Sequence, residues 1–201
     1  LVKKFMPSPF VYEVPGEVNE SSDIDHRVLV MDPKNRSAIF HRLVQGSGKS
    51  IVFVRTKVTA EALAASLNDA GVPTARLHGD LNQAQRSRNL ERFIKGSARV
   101  MIATDVAARG IHVDDVKLVI QLDLPEEYKT YLHRAGRTGR AGNQGQAYSL
   151  VGPKDWFSFK NLEALLEQKI QFISLDGLEA KFKGLANKKH KPSLGQPAQK
   201  R

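Results

Sequence analysis

Apolar residues in this chain fall into short continuous runs, and between the runs they recur at every third or fourth position. The first pattern is a strand signal and the second a helix signal, and the two alternate. Residues 26–31, His-Arg-Val-Leu-Val-Met, predict a strand, and after Pro33 the residues Ile39, Phe40, Leu43 and Val44 repeat at helical spacing. Residues 50–54 form the next apolar run. Residues 59–70 put Ala62, Leu63, Leu67 and Ala70 on one helical face ahead of Gly71, a C-terminal cap. A strand at 74–77 follows, then a helix capped by Asn82 that turns Leu90, Phe93 and Ile94 inward and stops at Gly96. Strands at 99–103, 118–122 and 147–151 complete the set, with helices over 127–135 and 153–168. On the last helix Trp156, Phe157 and Phe159 lie beside Leu162, Leu165 and Leu166, which argues for core rather than a base-stacking platform.

Strand alternating with helix implies an α/β domain with a mostly parallel sheet and helices on both faces, because each parallel neighbour needs a crossover and the crossovers cover the sheet. Ligands of such folds bind outside the carboxyl ends of the strands. Arg55-Thr56-Lys57, His78-Gly79-Asp80, Thr104-Asp105 and Asp123 each directly follow a predicted strand, so the chemistry collects along one edge.

The two ends of the chain read differently. Residues 1–22 carry Pro7, Pro9 and Pro15 and no helical period, the composition of an extended connector. Residues 23–172 form the expected domain, and 173–201 a basic, disordered tail with Lys181, Lys183, Lys188, Lys189, Lys191, Lys200 and Arg201. The formal net charge of +10 points to a polyanionic partner, since neutralising phosphates releases their counterions. The chain has no cysteine, which excludes disulfides and thiolate metal sites, and no run of apolar residues long enough to span a membrane. With no secretory signal at the N-terminus, the expectation is a cytoplasmic protein without a membrane partner, and the lack of cysteine fits a bacterial source. No metal ligand is assigned.

The segment His133-Arg134-Ala135-Gly136-Arg137-Thr138-Gly139-Arg140 holds three arginines and two glycines and little that is apolar. Arginine offers a planar fork of donors that stays charged at physiological pH, and this suits phosphate; a solvated basic loop is the plainer alternative. Gly46-Ser47-Gly48-Lys49-Ser50 imitates a nucleotide-binding P-loop but is not one. The glycine such a loop requires falls on Leu43, and a helix precedes the segment while a strand follows it, the reverse of a P-loop. It reads as a helix-to-strand turn.

Taken in order, Ile51-Val52-Phe53-Val54-Arg55-Thr56, His78-Gly79-Asp80 with Gln83-Ala84-Gln85-Arg86, Ala103-Thr104-Asp105-Val106-Ala107-Ala108-Arg109-Gly110 and residues 133–140 resemble successive motifs of one family. The chain resembles the C-terminal, RecA-like domain of a DEAD-box ATP-dependent RNA helicase. That resemblance implies a P-loop NTPase-like fold lacking its own P-loop, with residues 1–22 as the remnant of an interdomain linker. It implies ATP and Mg²⁺ as cofactors, held mainly by an N-terminal RecA-like domain of the same protein, and RNA as the partner. Arg137 and Arg140 resemble arginine fingers that reach the γ-phosphate, a contribution worth about 10³ to 10⁵ in rate. His133, Arg109 and Gly110 resemble residues that couple the two domains. Arg134 either belongs with the fingers or pairs with a carboxylate in its own domain.

Thr56, Gly79, Asp80, Gln83, Arg86 and Thr104 resemble contacts to the RNA sugar-phosphate backbone. Hydroxyls and backbone amides hold phosphate without reading base identity. Asp80 either accepts from a ribose 2′-hydroxyl or caps the turn before the helix at Asn82, and Gln83 with Arg86 is alternatively a surface hydrogen-bond pair. After Gly110-Ile111 the family carries an aspartate that resembles a ribose-binding group. Here His112 stands in its place, able to hydrogen-bond a hydroxyl but without a carboxylate's acceptor pair.

The resemblance makes the chain half of an ATPase that unwinds short RNA duplexes locally. The chain alone is expected not to hydrolyse ATP, because it contains neither a P-loop nor an Asp-Glu-Ala-Asp sequence. Two other readings stand beside it, a nucleic-acid-binding module without catalysis and a domain of a DNA helicase or translocase.

Overall fold

A computed structural model of the chain describes residues 23–46, 48–111, 113–140, 143–166 and 170–184. The strands run β1 (Ile24–Val30), β2 (Ser50–Phe53), β3 (Thr74–Leu77), β4 (Val100–Ala103), β5 (Leu118–Gln121), β6 (Gly145–Val151) and β7 (Gln171–Ile173). The helices are α1 (Arg36–Gly46), α2 (Lys57–Asp69), α3 (Gln83–Ile94), α4 (Asp105–Ala108), α5 (Tyr128–Ala135) and α6 (Trp156–Leu165), with a 3₁₀ turn at Pro33–Asn35. The strands form one sheet in the order β3-β4-β2-β5-β6-β1-β7. Every pairing is parallel.

Strand side chains alternate between faces, and here both faces are buried. Val52, Ile102, Ile120 and Leu150 join Ile39, Phe40 and Val44 of α1 and Ala60, Ala64 and Leu67 of α2 in one core. Ile51, Phe53, Met101 and Val119 turn the other way, toward Phe93 of α3 and Ala107 and Ala108 of α4. On that same face Val28 and Val151 meet Tyr131 of α5 and Phe159 and Leu162 of α6. No helix among the described residues is long and apolar enough to cross a membrane.

Several expectations shift. The helix expected at 59–70 begins at Lys57, because Thr56 caps it by accepting from the Thr59 amide at 3.1 Å. Its buried face is therefore Ala60, Ala64 and Leu67, whereas Ala62 and Ala70 are exposed. On α3 Phe93 is buried but Ile94 is 49% exposed. On α6 Phe159 is core, while Phe157 is half exposed.

The boundary expected at 172 falls inside β7, which pairs with β1 and covers its outer edge. Beyond it Ile173, Leu175 and Leu178 pack on the core. The amides of Lys181 and Phe182 then donate to the two oxygens of Asp32 at 3.0 and 3.2 Å, and the Phe182 ring meets Trp156 edge-on at 5.6 Å. Residues 173–184 thus belong to the domain. The expected connector 1–22 and the tail from 185 onward lie outside the described residues.

Candidate functional site

Because all strands point the same way, every segment that leaves a carboxyl end emerges on one edge. Strand order makes β3, β4 and β2 neighbours, so Gly79 and Asp80, Thr104, and Thr56 line up across three adjacent strand ends. β5 comes next, and α5 follows it with His133 and Arg134 in its last turn. The expected RNA contacts and the arginine segment therefore share the edge, side by side.

Arg134 is only 4% exposed. Its Nε and Nη2 donate to Asp105 Oδ1 and Oδ2 at 2.6 and 2.7 Å, and Nη1 donates to the Asp123 carbonyl at 2.6 Å. The guanidinium lies over the Phe53 ring, 5.2 Å from its centroid. Of the two roles open to Arg134, the structure gives the internal pair. Asp105 is the first residue of α4, where a carboxylate also suits the positive end of the helix.

Arg137 and Arg140 leave the end of α5 and are half buried. Arg137 donates to the Ile111 carbonyl at 2.7 Å, and Arg140 Nε bonds back to the Gly136 carbonyl at 2.8 Å. Thr138 between them donates to the Val116 carbonyl. Gly139 has φ +66, and a Cβ there would fall 2.7 Å from Ile24 Cγ1, so the turn that separates the two arginines requires glycine on both counts. Arg137, Arg134, His133, Arg109, Thr130 and Asp105 line one open cleft at the mouth of the edge. His133 and Arg109 are exposed. Gly110 adopts φ +73 with open space around its Cβ position, so its backbone conformation, not crowding within this chain, demands glycine. His112 lies outside the described residues.

Asp123 is a second hub. Its Oδ1 accepts from Arg36 at 2.5 Å and its Oδ2 from the Arg55 amide at 2.8 Å, while its carbonyl takes Arg134. One residue thereby ties the starts of α1 and α2 to α5. A strand-end aspartate at this position was visible in the sequence, but its three partners come from distant segments.

The expected RNA contacts are held by groups that sequence reasoning missed. Lys57 Nζ reaches Asp80 at 2.5 Å, and its hydrogen bond holds the Asp80 carboxyl below the usual range. Four residues on, and so on the same face of α2, Glu61 takes Arg76 Nε at 2.6 Å and His78 Nε2 at 2.7 Å. Burial pushes the Glu61 carboxyl up, but the hydrogen bonds from Arg76 and His78 outweigh it and leave it below its ordinary value. These two rungs fix the His78-Gly79-Asp80 turn against the helix that Thr56 caps. Thr56 Oγ1 is occupied by that cap. Asn82, not Asp80, caps α3, through reciprocal bonds with Gln85 at 2.9 and 3.0 Å. Arg86 donates to the Ala107 carbonyl at 3.2 Å and so links α3 to α4, not to Gln83, which is exposed. Thr104 precedes α4, and its hydroxyl makes no capping bond.

The donor set at the cleft is cationic, which fits an incoming phosphate chain. Among the described residues no three His, Asp or Glu side chains gather as ligands for a metal ion.

Comparison with known proteins agrees with this layout. The profile of the helicase conserved C-terminal domain matches residues 34–142. The DEAD-box ATP-dependent RNA helicase CshA of Bacillus cereus is 34% identical over 186 residues, covering 92% of this chain and 35% of that protein. This chain thus spans about a third of the length of that relative. Among solved structures, the E. coli DEAD-box protein SrmB bound to regulator of ribonuclease activity A superposes with a TM-score of 0.77 at 35% identity, over 81% of this chain and 98% of that one. S. cerevisiae Dbp5 bound to RNA and ADP BeF3 superposes with a TM-score of 0.69 at 34% identity, over 77% of this chain and 42% of that one. With its parallel seven-stranded sheet and the order of its strand-end motifs, the chain belongs to the helicase conserved C-terminal domain family, in the RecA-like form it shares with DEAD-box proteins.

Proposed function

We propose that this domain is the second half of an ATP-dependent RNA helicase, supplying arginine fingers and part of an RNA surface to a site completed by an N-terminal RecA-like domain. The observation that carries the reading is the division of labour within one segment. Arg134 is buried in the wall of the cleft and neutralised by Asp105, while Arg137, three residues on, is more exposed and lines the same cleft with His133 and Arg109. Arg140 lies beyond the same turn and serves with it.

ATP and Mg²⁺ are assigned mainly to the other domain. This chain contributes cations, and a guanidinium against a transferring phosphoryl group offsets the charge spread over its equatorial oxygens. His133, Arg109 and Gly110 couple the domains, and His112 contacts the ribose. Gly79, Asp80, Thr104, Thr56, Gln83 and Arg86 hold the RNA backbone. The contiguity of the first four across β3, β4 and β2 supports this, as does Lys57 beside Asp80, which removes the charge conflict between a carboxylate and a phosphate chain. Closure of two half-sites is then the switch that bends and separates a short duplex. The cytoplasm is the compartment this activity suits.

The test is ATP hydrolysis, measured with and without RNA, by this chain alone and by this chain joined to the N-terminal RecA-like domain of a relative. The chain alone is inactive on this reading, and the joined protein shows RNA-stimulated turnover. A joined protein that folds, binds RNA and never hydrolyses ATP would leave the non-catalytic binding module as the function.

A further inference from the structure

On the sheet face covered by α3, α4, α5 and α6, one in-register row of side chains crosses all seven strands: Leu77, Ala103, Phe53, Gln121, Ser149, Val28 and Phe172. Five are apolar. The two polar members stand together at the centre, and both are fully buried. Among the described residues neither amide atom of Gln121 has a hydrogen-bond partner, and Ser149 Oγ has the Tyr131 hydroxyl beside it, close enough to lower the pKa of a phenol that burial raises. An unpartnered amide costs the free energy of the water contacts it gave up, and a methionine at 121 would fill the space without that cost. Stability therefore does not account for the glutamine.

Its place under α5 does. Tyr131 of α5 stacks on His26 of β1 at 5.6 Å between ring centroids, with its hydroxyl 3.0 Å from His26 Nδ1. His26 pairs in register with Ala147, two residues before Ser149 on the same face of β6. One turn further along α5, Arg134 lies over Phe53, the neighbour of Gln121 on the other side. The helix thus rests with Tyr131 over the Ser149 and His26 end of the seam and Arg134 over the Phe53 end, and Gln121 lies between.

Resting on the catalytic reading above, we propose that Gln121 and Ser149, with Tyr131 and His26, are positioning residues that set the rotation and axial seat of α5, and so the reach of Arg137 and Arg140. Apolar contact is non-directional, and a short helix on a purely apolar surface slides or turns at little cost. Hydrogen-bonding groups in a low-dielectric interior are directional, so every displacement of α5 changes their electrostatics. The seam gives up stability and gains one defined placement for the arginines.

The substitutions that separate this from ordinary packing are Gln121→Met and Gln121→Leu, which remove the unpartnered amide. In this chain by itself they raise the melting temperature by about 2–4 °C while amide exchange over residues 128–140 becomes faster, by about fivefold or more. In the joined two-domain protein they lower RNA-stimulated kcat about tenfold and leave KM for RNA unchanged. Gln121→Asn, which keeps an amide, retains more of kcat than Gln121→Met. Ile120→Val, on the opposite face of β5, lowers the melting temperature without a change in kcat. A rise in melting temperature accompanied by slower or equal exchange across α5 overturns the proposal. Exchange is read on the single domain, so it decides the seam even where the joined protein fails to hydrolyse ATP, a failure that counts against the catalytic reading instead.

Discussion

Arg134 and Asp105 form a two-point fork across 29 residues of sequence, Nε to Oδ1 at 2.6 Å and Nη2 to Oδ2 at 2.7 Å. The arginine is almost entirely enclosed, and the carboxylate is about a third open to solvent. A buried guanidinium that loses its carboxylate keeps the desolvation cost without the compensation. Asp105→Ala is therefore expected to destabilise the domain by about 2–3 kcal/mol, toward the lower end for a buried pair because Asp105 is partly exposed. Arg134→Lys loses the fork and destabilises in the same direction. Urea denaturation of the single domain checks both, and equal stability of all three proteins would contradict the assignment of Arg134 as an internal anchor.

The Glu61 cluster predicts a pH dependence. Its carboxyl lies below the ordinary glutamate value of 4.5 in the folded protein. A depressed folded value means that the contribution is fully present above the unfolded pKa and is lost as pH falls through the folded one. The stability difference between the native chain and Glu61→Gln should then shrink as pH falls below about 4.5. Denaturation at a series of pH values reads it directly, and a difference that does not shrink below about 4.5 would refute the arrangement with Arg76 and His78.

Two truncations separate the C-terminal segment from the tail. Ending the chain after Ile173 removes Leu175, Leu178 and the Asp32 clamp and should cost about 3 kcal/mol or more. Ending it after Gly184 should leave the melting temperature where it was. That second truncation removes Lys188, Lys189, Lys191, Lys200 and Arg201, so RNA affinity and its salt slope should both fall. An unchanged salt slope would show that the tail does not meet RNA.

His112→Asp, in the joined two-domain protein, is expected to change KM for ATP far more than kcat, because a ribose contact acts on binding and not on the phosphoryl group. Steady-state kinetics at saturating RNA checks it. An unchanged KM would mean that position 112 does not touch the nucleotide.

The strands were legible because a sheet buried on both faces leaves unbroken apolar runs, as at Val52 and Phe53 or at Met101 and Ile102. Five of the six helices were equally plain, the four-residue α4 being missed, but the inward face of α2 was misjudged because the cap at Thr56 moves the start and rotates the stripe onto Ala60 and Ala64. β7 escaped notice: three residues with an exposed pattern carry no periodicity, and the strand exists because β1 offers an edge. At the site, residue types and their strand-end positions could be read, whereas partnerships could not. Nothing local says that Arg134 pairs with Asp105 while Arg137 bonds the Ile111 carbonyl. Nor does local sequence bring Glu61 to His78, or Lys181 to Asp32 across 149 residues.

On the proposed function, Arg137 and Arg140 act on the phosphate and not merely as positive charge. The most direct measurement is RNA-stimulated ATP turnover of the joined two-domain protein carrying Arg137→Lys and Arg140→Lys, with RNA affinity measured alongside. The expected result is a fall in kcat of at least about 10³-fold with RNA affinity and melting temperature retained. Turnover that survives both substitutions would contradict it.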